Sequence, residues 1–208
     1  MPSATDTKER ILDAAKAAFH ERGTSGARMQ EIADSAGINK ALIHYYFNNK
    51  DTLAAAVFQR ELRTLVQPVL QTLASELPLE DKVRTVIGMY LDRLTALPQM
   101  PGYILAEMHF HPERLEALMT SITDRDPRDM ADRVFARLGE QIDDAVASGR
   151  MAPMPPHQFM VNLVSLCVFP FASRPLLSFV LGGPDSFDTM IEERRDSLTQ
   201  FFLRGLRP

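Results

Sequence analysis

The chain has 208 residues, of which 45% are hydrophobic and 24% are charged, so it can bury one or two globular cores and does not resemble collagen-like, low-complexity or disordered sequences. Its single cysteine, Cys167, excludes an intrachain disulfide, and charged residues stand where a signal peptide would need an apolar core. No apolar run reaches the roughly 18 residues that a spanning helix requires. We therefore expect a soluble, cytoplasmic protein that makes no membrane contact.

The net charge of -4 is spread unevenly along the chain. Residues 1–60 contain eight basic and seven acidic side chains, whereas residues 61–208 contain fifteen basic and twenty acidic ones. A nearly balanced region can still bind phosphate if its cations converge on one face. Charge alone therefore does not decide whether the protein binds nucleic acid, and the positions of the cations must.

Apolar residues near the N-terminus recur at spacings of three and four, which predicts short amphipathic helices. The first stripe begins after a polar cap cluster at residues 5–7, stops at Gly23, and consists of Ile11, Leu12, Ala15, Ala18 and Phe19. The second stripe ends at Gly37 and consists of Met29, Ile32, Ala33 and Ala36. Asn39 can cap a third helix whose inward residues are Ile43, Tyr46 and Phe47.

The pattern of apolar residues predicts helices in the remainder of the chain as well. A long helix is predicted from Lys50 towards Ser75, with a kink at Pro68. Further helices are expected at about 80–97, 101–110, 112–148 (with a break allowed at Asp126-Pro127), 156–173 and 184–205. The sequence therefore predicts an all-α fold, with an N-terminal three-helix domain at 1–50 and a larger helical domain at 51–208.

The spacing within residues 28–47 is that of a helix-turn-helix. A small residue, Ala33, suits the close crossing of two helices, and Gly37 supplies the positive φ that the turn between them needs. If Ile43 faces inward, the helical period turns Ala41, His44 and Tyr45 outward, where they can enter a major groove. Short helices of this kind also occur by chance in helical bundles, so the inference depends on cap, turn and apolar pattern being in register together.

Residues 29–53, with the sequence MQEIADSAGINKALIHYYFNNKDTL, resemble the DNA-binding signature of the TetR family of bacterial transcriptional repressors. The resemblance covers about residues 7–55. It implies a homodimer that binds a palindromic double-stranded DNA operator and is released when a small-molecule effector enters the larger domain. We expect no enzymatic activity and no cofactor.

Carried over position by position, the resemblance assigns DNA contacts to eight residues: Arg28, Asn39, Lys40, Ala41, Leu42, His44, Tyr45 and Lys50. Lys50 would reach a phosphate from the start of the fourth helix. Leu42 stands where family members often have Thr, Ser or Asn, and it can offer only apolar contact, for example to a thymine methyl. His44 stands where Tyr is common, and Arg28 cannot cap the second helix but could touch a phosphate or a guanine edge.

The segment containing Glu107, His109 and His111 offers an alternative reading as the metal site of an all-helical enzyme or binding protein. Glu107 and His111 have the i, i+4 spacing of helical metal ligands, but residues two apart on a helix, such as the two histidines, point about 200° apart. We therefore expect no metal. No nucleophile elbow or phosphate loop is present in the sequence, so catalysis has no other candidate site.

The stretch 159–171 is apolar nearly all round, so it must be covered on every side, either by the protomer's own core or by a second protomer. As in the resembled family, it could pair with the last helix in a four-helix dimer interface, with candidates Leu163, Val164, Phe171, Ile191, Leu198 and Phe201. An aspartate at Leu163 or Phe201 is then expected to split the dimer. Effector candidates place polar or soft groups on apolar helices, namely Tyr90, Tyr103, Met108, His109, Asn162 and Cys167.

Overall fold

The structure is a computed structural model that describes residues 4–115, 117 and 127–208. Its helices are α1 (Ala4–Gly26), α2 (Met29–Ala36), α3 (Lys40–Phe47), α4 (Lys50–Ala74), α5 (Leu79–Ala96), α6 (Met100–Phe110), α7 (Pro127–Ala147), α8 (Pro156–Ala172), α9 (Arg174–Leu181) and α10 (Pro184–Gly205). No strand occurs among these residues, so the predicted all-α class is confirmed. Part of the helix expected at 112–148 falls on residues 116 and 118–126, outside the described part.

The chain forms two compact units whose limits differ from the boundary expected at residue 50. The first unit combines Met1–Thr64 with Gly102–Leu118, and the second combines Leu65–Pro101 with Met119–Pro208. The first unit extends into α4 because apolar side chains of that helix, Leu53, Val57 and Phe58, are fully buried. Helix α4 is continuous through Pro68 and contributes residues to both units.

The first unit is built on packing of α1 against α2 and of α2 against α3. The stripes predicted from the sequence form its core, with Ile11, Phe19 and Ile32 fully buried. Gly23 has a non-helical backbone conformation (φ 68°, ψ 169°) that breaks α1, as the sequence predicts. Tyr103 of α6 stacks on Phe19 with ring centroids 6.3 Å apart, which joins the 102–118 segment to this core.

The second unit is a helical bundle organised around α5, which packs against α7, α8 and α10. Its core contains Val86 and Ile87 of α5, Leu138 of α7, Phe159 of α8 and Phe187 of α10, all at most 1% exposed. On α7, for example, Val134, Leu138 and Ile142 are buried at four-residue spacing, so this helix turns one apolar stripe to the core.

Helix α9 was not predicted from the sequence. It follows α8 after a bend of 70°, with Pro175 in its first turn. Because proline has no N–H to donate, it breaks the helical ladder at Ser173 and starts a new helix there. Among the described helices no single one is long and apolar enough to cross a membrane, and only the bent pair of α8 and α9 passes that test by length and composition.

Candidate nucleic-acid interface

The turn between α2 and α3 has the geometry that the sequence predicts. Gly37 adopts the left-handed conformation (φ 63°, ψ 41°), and the Ile38 N–H donates to the Ala33 carbonyl at 3.0 Å. The Asn39 side-chain oxygen accepts from the Ala41 N–H at 2.9 Å and so caps α3. Arg10 of α1 donates to the carbonyls of Ala36 and Gly37, which ties the turn to the first helix.

Helix α3 presents one buried and one exposed face. Ile43 is fully buried and Phe47 is 4% exposed, whereas Tyr46, which was expected to face inward, is half-buried. The exposed residues of α3 are Lys40, Ala41, Leu42, His44 and Tyr45. Tyr45 is 81% exposed, and its ring meets Tyr46 edge-on with centroids 5.2 Å apart. The helix therefore exposes a continuous surface of mixed polar and apolar groups, while its opposite side is anchored in the core by Ile43 and Phe47.

The end of α3 is held by an unusual turn. Asn48 has positive φ (60°) and ψ of -58°, and the Asn49 N–H donates to the Phe47 carbonyl at 2.6 Å, as in a γ-turn. The Nδ1 atom of His44 lies 2.7 Å from the Asn48 carbonyl oxygen. Asn49 then caps α4, since its side-chain oxygen accepts from the Thr52 N–H at 2.8 Å.

Two of the cations predicted to contact DNA, Lys50 after α3 and Arg28 before α2, lie in different settings. Lys50 is half-buried, and its Nζ atom donates to the Ser25 and Ala27 carbonyls at 3.2 and 3.3 Å. The lysine therefore secures the loop before α2, a role that sequence reasoning missed. Arg28 begins α2 without capping it, as expected, and its side chain is 81% exposed, 3.9 Å from Glu31.

The structure does not bring Glu107, His109 and His111 together. The buried Glu107 carboxylate accepts from the Thr24 hydroxyl at 2.6 Å and forms an ion pair with Arg114. His109 is exposed and meets Phe110 edge-on, while His111 lies 3.3 Å from Glu113. In the described part of the chain no three His, Cys, Asp or Glu side chains are placed to hold a metal ion.

The six predicted effector residues do not line one cavity. Tyr103, Met108 and His109 belong to the first unit, while Tyr90, Asn162 and Cys167 belong to the second. Tyr103 is 6% exposed and its hydroxyl donates to the Ala54 carbonyl at 3.4 Å, so it serves the core. Cys167 is fully buried, and burial raises the pKa of its thiol to about 12. Burial also raises the pKa of Tyr90.

A cleft of about 730 Å³ lies within the second unit, between α5, α8, α9 and α10. Leu91, Phe171, Phe187 and Ile191 contribute apolar surface to it. Its polar lining includes two ion pairs, Arg174 with Asp188 at 3.0 Å and Arg195 with Asp92, together with Glu192. The Arg174 guanidinium lies 5.1 Å from the Phe187 ring centroid. Its volume is typical of small-molecule sites, but sequence reasoning proposed none of its residues as effector contacts.

Most of the predicted dimer residues lie in the protomer's own core. Leu163, Phe171, Ile191 and Leu198 are between 0 and 6% exposed, and Val164 is half-buried. The burial of the first four within one protomer corrects the expectation that a partner covers them. Phe201 is different, since it is 67% exposed. Sequence periodicity gives the apolar stripe of a helix but not the neighbour that covers it.

The exposed face of α3, held by a buried core and a glycine turn, defines a helix-turn-helix DNA-binding protein. Residues 11–57 match the family model described as bacterial regulatory proteins, tetR family. The N-terminal domain of the chain belongs to the TetR family of bacterial regulatory proteins.

A relative that spans nearly the whole chain is also a transcriptional regulator, and a solved structure shares the fold. The transcriptional regulator RutR of Escherichia coli K12 is 26% identical over 202 residues, which cover 97% of this chain and 91% of RutR. The transcriptional activator FasR of Mycolicibacterium smegmatis is 33% identical over 87 residues, 42% of this chain and 40% of FasR. The crystal structure of SCO4942 from Streptomyces coelicolor superposes with a TM-score of 0.67 at 22% identity, over 97% of this chain and 99% of that chain.

Proposed function

We propose that this cytoplasmic regulator represses transcription by binding a palindromic operator as a homodimer, and that a small apolar or amphipathic molecule releases it. The observation that carries the proposal is the exposed face of α3. The cap of α3, the turn before it and its buried side are already in place in the protein without DNA. The exposed face can therefore enter a major groove without rearrangement.

The DNA contacts divide by chemistry. His44, Tyr45 and Leu42 stand on the exposed face of α3 and are proposed to meet base edges. Lys40 and Lys50 are proposed to bind phosphates, which fixes the position of the helix without reading sequence. The Lys50 ammonium already has two carbonyl partners, and its third N–H would serve the phosphate.

A homodimer is proposed because one short helix with few charges supplies too few contacts for specific affinity, and two recognition helices must reach major-groove faces about 34–36 Å apart. Exposed apolar side chains on α8 and α10 support an interface there, with Val161 at 51%, Phe169 at 60% and Phe201 at 67% exposure. A groove of about 360 Å³ between these two helices is lined by Asn162 and Phe201 among others. This exposed face replaces the buried stripe as the proposed interface.

The cleft between α5, α8, α9 and α10 is the proposed effector site. Apolar surface beside charged and polar side chains suits a molecule with an apolar body and a polar end. Its binding would favour a conformation with less affinity for the operator, a coupling typically worth about 1–3 kcal/mol. Ala96→Trp fills the cleft. It should abolish effector binding and the effector-induced release from the operator, while leaving operator affinity without effector unchanged.

Selection of bound sequences from random duplex DNA tests the proposal. A palindrome is expected, and absence of sequence preference at low salt would overturn DNA binding. Lys40→Ala, at an exposed position proposed to bind phosphate, should weaken all sequences alike and lower the salt slope by about one, whereas Tyr45→Ala should also change the preferred sequence. Arg150→Ala removes an exposed cation of the second unit and is the matched control. It should leave the salt slope and the preferred sequence unchanged.

A further inference from the structure

The hydrogen bond of His44 fixes which ring nitrogen faces the solvent side of α3. Its Nδ1 atom lies 2.7 Å from the Asn48 carbonyl oxygen, and a carbonyl oxygen can only accept. Nδ1 must therefore carry the proton. In the neutral imidazole the other nitrogen, Nε2, then has a lone pair and no hydrogen.

The acceptor of this bond is held in place by the backbone. Asn48 is the non-glycine residue with positive φ (60°) among the described residues, and the bond from the Asn49 N–H to the Phe47 carbonyl closes the turn around it. Asn49 is held in turn as the cap of α4. The carbonyl that orients His44 thus belongs to a turn anchored at both ends, so the tautomer is set before any DNA arrives.

We propose that His44 reads an exocyclic amino group in the major groove, that of adenine N6 or cytosine N4, through Nε2 as acceptor. The inference rests on the proposed DNA contact of α3 and names the chemistry of one of its residues. Guanine offers only the acceptors N7 and O6, and thymine offers the acceptor O4. Neutral His44 has no outward donor for these acceptors, so Nε2 can hydrogen-bond only to the amine-bearing base of a pair, adenine or cytosine.

Selection from random duplex DNA at about pH 8, where imidazoles are neutral, is the first test. The wild type and His44→Ala are compared, and the operator position whose preference flattens in the variant is the one that His44 reads. Every base pair carries one major-groove amine, adenine N6 in A·T or cytosine N4 in G·C, so the preferred pair identifies the amine that the second test removes. His157→Ala replaces an exposed histidine at the start of α8 and should change no position.

Removing the amino group from that base tests the contact directly. With an analogue that lacks only the exocyclic amine, wild-type affinity should fall about three- to tenfold, the worth of one hydrogen bond. His44→Ala should bind the normal and the altered duplex within twofold of each other. Circular dichroism checks that the variant keeps its helicity, as expected for an exposed position.

Three outcomes would overturn the assignment. Loss of wild-type affinity, but not of His44→Ala affinity, on replacement of the purine of that pair by its 7-deaza analogue would show that Nε2 donates to N7. A uniform loss across all sequences in His44→Ala would show a phosphate contact. An amine deletion that leaves wild-type affinity unchanged would remove the proposed acceptor role. In each case the protein still binds a preferred sequence, whereas failure of the proposed function would leave no preference at all.

Discussion

At the residue scale, Gly37 shows how one backbone conformation sets the angle between α2 and α3. Its φ of 63° lies in a region that side chains rarely adopt, and a Cβ there would lie 2.9 Å from an Arg10 guanidinium nitrogen. The same guanidinium satisfies the carbonyls at the end of α2. The glycine is therefore required both by its φ and by the close approach of Arg10.

We expect Gly37→Ala to lower the free energy of unfolding by about 1–2 kcal/mol and to weaken operator binding, because it strains the turn and displaces Arg10. Urea denaturation measures the first effect. Gly102→Ala is the control, since a Cβ at that helical position meets nothing within 4 Å, and it should be neutral or stabilising by up to about 1 kcal/mol. Equal losses in both variants would contradict this account of Gly37.

Lys82 is a fully buried lysine whose Nζ atom donates to the Leu73 carbonyl at 2.6 Å, near the end of α4. Burial, and to a lesser extent the nearby Arg137, lower its pKa to about 8, while Glu76 opposes the shift. The unfolded chain thus binds this proton more tightly than the folded protein does. Between about pH 8 and 10.5 the contribution of Lys82 to stability therefore rises with pH.

The variant Lys82→Met isolates that contribution, since it keeps the length of the side chain without its charge. From pH 7.5 to 10, the stability of the wild type relative to Lys82→Met should increase by an amount of the order of 1–3 kcal/mol. Chemical denaturation at several pH values measures the difference. A difference that stays constant across this range would mean that the lysine is not desolvated in the folded state.

At the element scale, a buried ion pair joins three segments of the first unit. Arg114 pairs with Glu107 of α6 and with Asp51 in the first turn of α4, and Glu107 accepts from Thr24 of α1. The Arg114 and Glu107 side chains are only 5 and 6% exposed. Removal of Arg114 leaves the Glu107 charge buried without its cation, and removal of Glu107 leaves the buried Arg114 paired with Asp51 alone. Loss of a buried ionic partner is costly.

We expect Arg114→Met alone to cost about 3–5 kcal/mol of stability, and the double variant with Glu107→Met to cost less than the sum of the single changes by at least about 2 kcal/mol. Denaturation of all four proteins in a double-mutant cycle gives the coupling. Glu31→Gln, which breaks the exposed pair with Arg22 at 2.7 Å, should cost no more than about 1 kcal/mol. An additive cycle would show that Arg114 and Glu107 do not act as a pair.

At the scale of the whole molecule, the proposed dimer separates two kinds of apolar residue on α8 and α10. Leu163 is fully buried within the protomer, whereas Phe201 is 67% exposed. A charge at Leu163 therefore disrupts the fold, and a charge at Phe201 meets solvent in the monomer but an apolar partner in the dimer.

Phe201→Asp should dissociate the dimer and abolish operator binding while helicity is retained. Sedimentation equilibrium, DNA binding and circular dichroism measure the three quantities. Leu163→Asp is the contrasting variant and should lose its cooperative thermal transition. A dimeric Phe201→Asp that still binds the operator would place the interface elsewhere.

Local signals in the sequence predicted the turn, the cap and the inward face of the helix-turn-helix. Gly37 and Asn39 act through their own backbone and side chain on residues one to four positions away, so the turn and the cap of α3 could be read directly. The inward position of Ile43 followed from helical periodicity. Helix α9 was missed because Pro175 lies inside an apolar stretch that reads as a connection between longer helices.

The amino-acid sequence by itself determined the helical class, the helix-turn-helix and the family, because caps, turns and amphipathic periods are local properties. Only the tertiary structure decided that Leu163 belongs to the protomer core, that Glu107 pairs with Arg114, and that Lys50 binds the Ser25 and Ala27 carbonyls. The sequence pattern of an apolar stripe or a charged side chain does not identify the element that will pack against it. Its partner depends on how distant segments pack, and that is settled only when the whole chain folds.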